Sequence, residues 1–136
     1  GLVAQVDQAV AQGRSVTLLY GVRSADRMLP LHLLPPEVEV AVSSEDGSVG
    51  QRGQVTDLLP AYLPWADEVF ACGPNAMFET MASLVRSVAS RKPVQVLTEE
   101  RMACGTGLCY GCAVFTRRGV RLVCQDGPRF ELRQLF

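Results

Sequence analysis

Glu99-Glu100-Arg101-Met102-Ala103-Cys104-Gly105-Thr106-Gly107-Leu108-Cys109-Tyr110-Gly111-Cys112, with Cys124 following in Val123-Cys124-Gln125-Asp126-Gly127, is the stretch on which the reading of this chain turns. Four of the five cysteines stand at the spacing C-x4-C-x2-C-x11-C. That is the plant-type spacing for a [2Fe–2S] cluster, three ligands on one tight loop and a fourth from a separate segment. A loop that wraps a cluster must bend sharply and turn backbone N–H groups toward sulfur, which calls for residues free to take positive φ. Gly105, Gly107 and Gly111 stand between the ligands where that freedom is needed.

Two other chemistries use cysteines. Structural zinc favours two short-spaced pairs joined by a longer linker, whereas here three cysteines crowd between Cys104 and Cys112. Disulfides suit exported chains, and an odd number of cysteines leaves one thiol over. The N-terminal residues do not read as a signal peptide, so cysteines committed to iron point to a reducing cytoplasm.

Outward from this stretch, 48% hydrophobic and 20% charged residues are enough for a packed core. A net charge of −1 gives no reason to expect nucleic acid or an anionic membrane as partner. No apolar run approaches the ~20 residues of a membrane span.

Val3, Val6, Ala9 and Val10 recur at helical spacing, and Gly13 predicts the end of that helix. Residues 15–20 and Val38 to Val42 read as buried strands, with Ser24 capping a short helical turn through Met28 between them. A brief helix is expected over Gln54 to Leu59, then a third strand over Asp67 to Ala71. The longest helix is expected over Asn75 to Ser90, and a fourth strand over Val94 to Leu97. This alternation predicts an α/β fold with a parallel sheet covered on both faces. After Leu97 the pattern changes: Ala113 to Thr116 and Val120 to Val123 read as a β-hairpin that carries Cys124 back to the loop. The expected division is 1–98 and 99–136, without a flexible tether.

The run Glu100-Arg101-Met102-Ala103-Cys104-Gly105-Thr106-Gly107-Leu108-Cys109-Tyr110-Gly111-Cys112, closing on Val123-Cys124-Gln125-Asp126-Gly127-Pro128, resembles the electron-transfer subunits of NAD-dependent dihydroorotate dehydrogenases. Upstream, Gly21-Val22-Arg23, Glu45-Asp46-Gly47 with Gly53, and Cys72-Gly73-Pro74 with Met77 are similar to the NAD(P)-binding half of the ferredoxin-reductase superfamily. The resemblance implies a parallel sheet of that NAD-binding domain over 1–98 and a small [2Fe–2S] lobe with a β-hairpin over 99–136. It implies Cys104, Cys109, Cys112 and Cys124 as cluster ligands, and Gly21, Arg23, Asp46, Gly47, Cys72, Gly73, Pro74 and Met77 as nucleotide-binding residues. It also implies FAD and NAD as further cofactors, and a flavin-containing catalytic dehydrogenase as partner in a heterotetramer that serves pyrimidine biosynthesis. Related subunits serving ferredoxin, sulfide or hydrogenase partners share this frame. A zinc-stabilised interaction module is the alternative of another class.

Members of the family carry a flavin-binding barrel, a first strand and a Gly-rich turn ahead of the first helix. This chain opens at Gly1-Leu2-Val3, inside that helix, and so reads as a C-terminal fragment with the first strand missing. On that reading it would hold no FAD, bind NADH weakly because a Gly-rich turn is what cradles a pyrophosphate, and be inactive alone.

The remaining candidates read more plainly. Cys72 at a strand end can belong to a nicotinamide pocket or be a small core thiol. Arg23 can pair a phosphate or stay solvated, and Asp46-Gly47 is also ordinary turn chemistry. Arg117, Arg118, Arg121, Arg129 and Arg133 form either a solvated face or a dock for an acidic surface. His32 has no catalytic companion, and Trp65 is expected to pack. Leu108 and Tyr110, beside Cys109, are expected at an exposed cluster edge that faces the catalytic subunit.

Overall fold

In the computed structural model, which describes residues 2–88 and 90–136, the first apolar period becomes helix α1, Leu2–Ala11, with Val6 buried. Gly13 at φ +72 ends it. The Gly13 N–H bonds the carbonyl of Val10 and the Arg14 N–H that of Ala9, the paired closure of a Schellman motif. Of the residues read as opening the chain inside this helix, Gly1 lies outside the described residues.

Described by themselves, two units divide the chain, Gly1–Pro64 and Trp65–Phe136. In the first, β1 (Thr17–Val22) lies parallel to β2 (Glu39–Ser44), in register from Thr17 opposite Glu39 to Val22 opposite Ser44. The connection holds two 3-10 turns, Ala25–Arg27 and Leu31–Leu33. Ser24 precedes the first, but its hydroxyl bonds the Asp26 side chain instead of capping the backbone, contrary to the expected N-cap.

A two-residue strand, β3 (Gln51–Arg52), adds a third parallel strand beside β2. Gly50 before it takes φ +62, and a Cβ there would stand 2.1 Å from the Val42 carbonyl oxygen. The expected brief helix splits into a 3-10 turn, Val55–Asp57, opened by a Gln54–Asp57 capping box, and α2, Leu59–Tyr62. Pro60 does not stop it, because in a first turn its missing N–H costs nothing.

The second unit is built on a β–α–β crossover: β4 (Val69–Cys72), α3 (Asn75–Ser87) and β5 (Val94–Leu97), the two strands parallel. Phe78, Met81, Ala82 and Val85 form the buried stripe of α3 at the 3.6-residue period. The helix was expected to reach Ser90; it ends at Ser87, and Ala89 lies outside the described residues. Trp65, expected to pack, is half exposed.

The hairpin forms from β6 (Ala113–Thr116) and β7 (Gly119–Leu122). After it come α4 (Val123–Asp126), β8 (Arg129–Glu131) and α5 (Leu132–Leu135). Strand β8 pairs antiparallel with β5, Phe130 opposite Val96, so this sheet is mixed. Val94, Val96, Phe78, Val123, Phe130 and Leu132 make the core that holds the C-terminal segment in place. Among the described residues no helix is long and apolar enough to cross a membrane.

Candidate metal centre

Between β5 and β6 the chain runs without regular structure from Thr98 to Cys112, and this is the cysteine loop. Its start is pinned by Thr98, buried, whose N–H and hydroxyl both bond the Pro128 carbonyl at 3.0 and 3.2 Å. Its end is pinned where the Val123 N–H meets the Cys112 carbonyl at 3.1 Å. Within it Gly105 and Gly107 take φ +69 and +83, and Tyr110 takes φ +58. A tyrosine in the left-handed region is strained and persists where surroundings dictate it. These three reversals curl the loop so that its amides point inward.

The amides point at sulfur. The Thr106 N–H lies 3.4 Å from Cys104 Sγ, the Gly111 N–H 3.3 Å from Cys109 Sγ, and the Cys124 N–H 3.5 Å from Cys112 Sγ. Backbone N–H bonds from Thr106 and Cys109, then the Thr106 hydroxyl and the Cys109 thiol, bring the Cys104 pKa down to about 5. Cys104 is therefore a thiolate at neutral pH, the form that binds metal. Cys124 moves the other way, raised chiefly by its hydrogen bond to Cys112 and next by burial, against an opposing bond from the Gly107 amide. Gly107 also lies against the Gln125 side chain, where a Cβ would meet Cγ at 3.1 Å.

Cys109 donates to Cys104, Cys124 interacts with Cys112, and the charge of Cys104 also reaches Cys124, so the two cysteine segments act on one another. Cys112 is buried, Cys124 half-buried, Cys104 and Cys109 exposed. Among the described residues no three His, Cys, Asp or Glu side chains close into a site for one metal ion. Four cysteines, three on one tight loop and a fourth from a separate segment, make a donor set that fits a two-iron cluster better than a single zinc.

The fourth ligand segment is fixed from the hairpin side. Asp126 accepts from the Leu122 N–H at 2.8 Å and pairs with Arg121 at 3.3 Å, closing the α4 turn around Cys124.

The nucleotide candidates lie at strand ends, each set in its own unit. In the first, Gly21, next to last in β1, lies against Val55, where a Cβ would stand 2.7 Å from the valine Cβ. Exposed Arg23 follows, and its carbonyl accepts from the Asp46 N–H at 3.2 Å, so the loops after β1 and β2 touch. Asp46 is held below the usual carboxylate range by the Ser48 hydroxyl and then the Ser48 amide. Gly47 takes φ +79 in that turn. In the second unit Cys72 ends β4, followed by Gly73 and Pro74, with Met77 in the first turn of α3 folded onto Gly73. Cys72 Sγ lies 3.6 Å from Glu99 Oε1. Burial, then the Glu99 charge and hydrogen bond, push the thiol pKa up. Nothing local in the sequence marks Glu99 for this role, because its contact with Cys72 spans 27 positions.

Residues 99–136 match the family model described as the iron–sulfur cluster binding domain of dihydroorotate dehydrogenase B. The chain is 38% identical over 122 residues to a probable dihydroorotate dehydrogenase B (NAD(+)) electron transfer subunit of Thermococcus kodakarensis, covering 90% of this chain and 49% of that protein. It is 33% identical over 138 residues to an electron transfer subunit homolog of Aquifex aeolicus, covering 99% and 53%.

This chain is a relative of those electron-transfer subunits.

It spans about half the length of the curated relatives it matches. A solved structure reported for flavin-based electron bifurcation, an NADH-dependent reduced ferredoxin–NADP oxidoreductase, superposes with a TM-score of 0.83 at 25% identity over 99% of this chain and 49% of that one. The mixed α/β architecture with its parallel strands is thus shared with a ferredoxin-reductase-like protein. Cys104, Cys109, Cys112 and Cys124 all fall inside the segment that the family model matches.

Proposed function

We propose that this chain is the electron-transfer part of an oxidoreductase, passing electrons from a dihydroorotate-oxidising flavin subunit through a [2Fe–2S] cluster to FAD and NAD+. One observation carries the reading: four thiols on two anchored segments, with backbone amides aimed at the sulfurs. When bound, the cluster supplies one-electron transfer between two-electron flavins.

The chain's own residues do the rest. Cys104, Cys109, Cys112 and Cys124 hold the irons, and the amides of Thr106, Gly111 and Cys124 stabilise negative charge on sulfur and so favour the reduced state. The functional division proposed is 1–98 for nucleotide and 99–136 for the cluster. Gly21, Arg23, Asp46 and Gly47 in the first unit, and Cys72, Gly73, Pro74 and Met77 in the second, are the residues proposed to meet nucleotide. Ligands at the carboxyl ends of parallel strands are the rule in such sheets. The partner proposed is the flavin-containing catalytic subunit, in a heterotetramer.

Anaerobic reconstitution tests this. The expected product is brown, holds about two irons and two sulfides per chain, and accepts a single electron. A colourless protein with one tightly held zinc overturns it. A second reading within the same class, a reductase subunit linked to ferredoxin, is favoured by the likeness to the ferredoxin–NADP oxidoreductase. Reduction of the loaded chain by ferredoxin, with none by a dihydroorotate-oxidising subunit, would select it.

A further inference from the structure

A cavity of about 260 Å³ in the second unit is lined by Ala82, Val85, Arg86, Ser90, Arg91, Arg117, Arg133 and Phe136. It shares no residue with the cysteine loop or with the Cys72 strand end. We propose that it binds the phosphate group of a small phosphorylated ligand.

Four arginines line this one concavity from four places in the chain: the end of α3, the turn after it, the hairpin tip and α5. No acidic side chain is among the lining residues. Among the described residues none of these four arginines forms an ion pair, unlike Arg121 and Arg27. Four arginines gathered with no acidic side chain among them repel one another, and a bound anion would offset that repulsion.

The blander account is that arginines near the end of α3 answer the helix dipole. That dipole amounts to roughly half a negative charge, which leaves most of four positive charges unanswered. The protein also orients two of the four. Arg133 donates to the Ser90 carbonyl, and Arg86 donates to Ser83 Oγ at 3.3 Å. A guanidinium has five N–H donors, so both keep donors to spare. The Arg117 N–H bonds the Gln134 carbonyl at 2.8 Å, tying the hairpin tip to α5 at the rim.

The floor explains the size and kind of ligand. Ala82 and Val85 are buried and Phe136 is half-buried, so the base is apolar and strengthens charge pairing above it. Pockets for drug-sized ligands and cofactors run from ~300 Å³ upward, which puts a dinucleotide out of reach and suits a phosphate on a short carbon body. Guanidinium forks match phosphate oxygens two at a time.

The test is calorimetric titration of the purified chain with glycerol 3-phosphate, with glycerol as the uncharged control. Saturable binding is expected for the first and none for the second. Arg91→Gln and Arg117→Gln should each weaken it about tenfold or more, the worth of one lost charged hydrogen bond. Arg118→Gln removes the same charge from the next residue, outside the cavity, and should change binding by less than about twofold. Arg117→Lys, which keeps the charge and gives up the fork, should fall between.

Vesicles of phosphatidate form a second arm. Binding to them that Arg117→Gln abolishes, without binding of glycerol 3-phosphate, supports the phosphate site and assigns its source to a lipid headgroup. Equal loss in Arg117→Gln and Arg118→Gln, or no saturable binding in either arm, overturns the proposal. Tighter binding to an acidic peptide than to either phosphate probe overturns it too. The readout is binding, so it stands or falls separately from the redox reading.

Discussion

Cys124 and Cys72 are both half-buried thiols, yet their neighbours give them different work. Cys124 meets another thiol, Cys112, and receives the Gly107 amide; Cys72 meets the Glu99 carboxylate. Replacing Cys124 or Cys109 by Ser should therefore abolish or destabilise the cluster, while Cys72→Ser should leave the visible absorbance of the reconstituted protein unchanged. Cys72 also carries a pH expectation. The thiolate is the form that reacts with iodoacetamide, and burial and Glu99 both oppose its formation. Alkylation of Cys72 should thus need a higher pH than alkylation of a free cysteine, and Glu99→Gln should shift the rate profile back toward lower pH. An unmoved profile in Glu99→Gln would show that the carboxylate does not act on this thiol. The cysteine spacing was legible from the sequence because ligand chemistry forces residue types to fixed intervals. The Cys72–Glu99 contact and the arginine cavity were not, since both are assembled from positions far apart in the chain.

Elements were legible in proportion to their length. α3 and β5 carry enough residues for a period to show, and both stand close to where the apolar pattern puts them. β3 and β8 span two and three residues, too few for any alternation, and they were missed. Strand β8 forms because Phe130 has a buried place opposite Val96, which is a property of the packed unit and not of its own sequence. Single residues still govern elements. Gly50 sets β3 beside β2, with φ +62 and a would-be Cβ 2.1 Å from the Val42 carbonyl oxygen. Gly50→Ala should destabilise the first unit by about 2 kcal/mol or more, adding backbone strain to a clash with main chain. Chemical denaturation of the variant measures this; a loss below about 0.5 kcal/mol would mean that the turn relaxes freely.

At the scale of the whole molecule, an electron carrier must present its redox centre to something else. Most of the cysteine loop is exposed, Leu108 at 83% and Tyr110 at 64%, while the hydrophobic side chains that pack the second unit lie in its strands and helices. A loop of Gly, Thr and Ala has little bulk with which to cover an inorganic cluster, so the edge beside Cys109 is left near solvent. Two large apolar side chains held in water on either side of a proposed ligand cysteine cost free energy that a partner surface would recover, and exposed Arg101, earlier in the same loop, is proposed for its polar rim. Leu108→Asp and Tyr110→Asp should accordingly weaken association with the proposed flavin-containing subunit and slow electron transfer between the chains. Neither side chain is a ligand, so the absorbance spectrum of the cluster should stay as in the parent. The comparison requires both readouts on one preparation: a variant that loses colour reports on the loop's fold, whereas one that keeps colour and loses its partner reports on docking. Variants that assemble and turn over like the parent would place the docking face elsewhere on the chain.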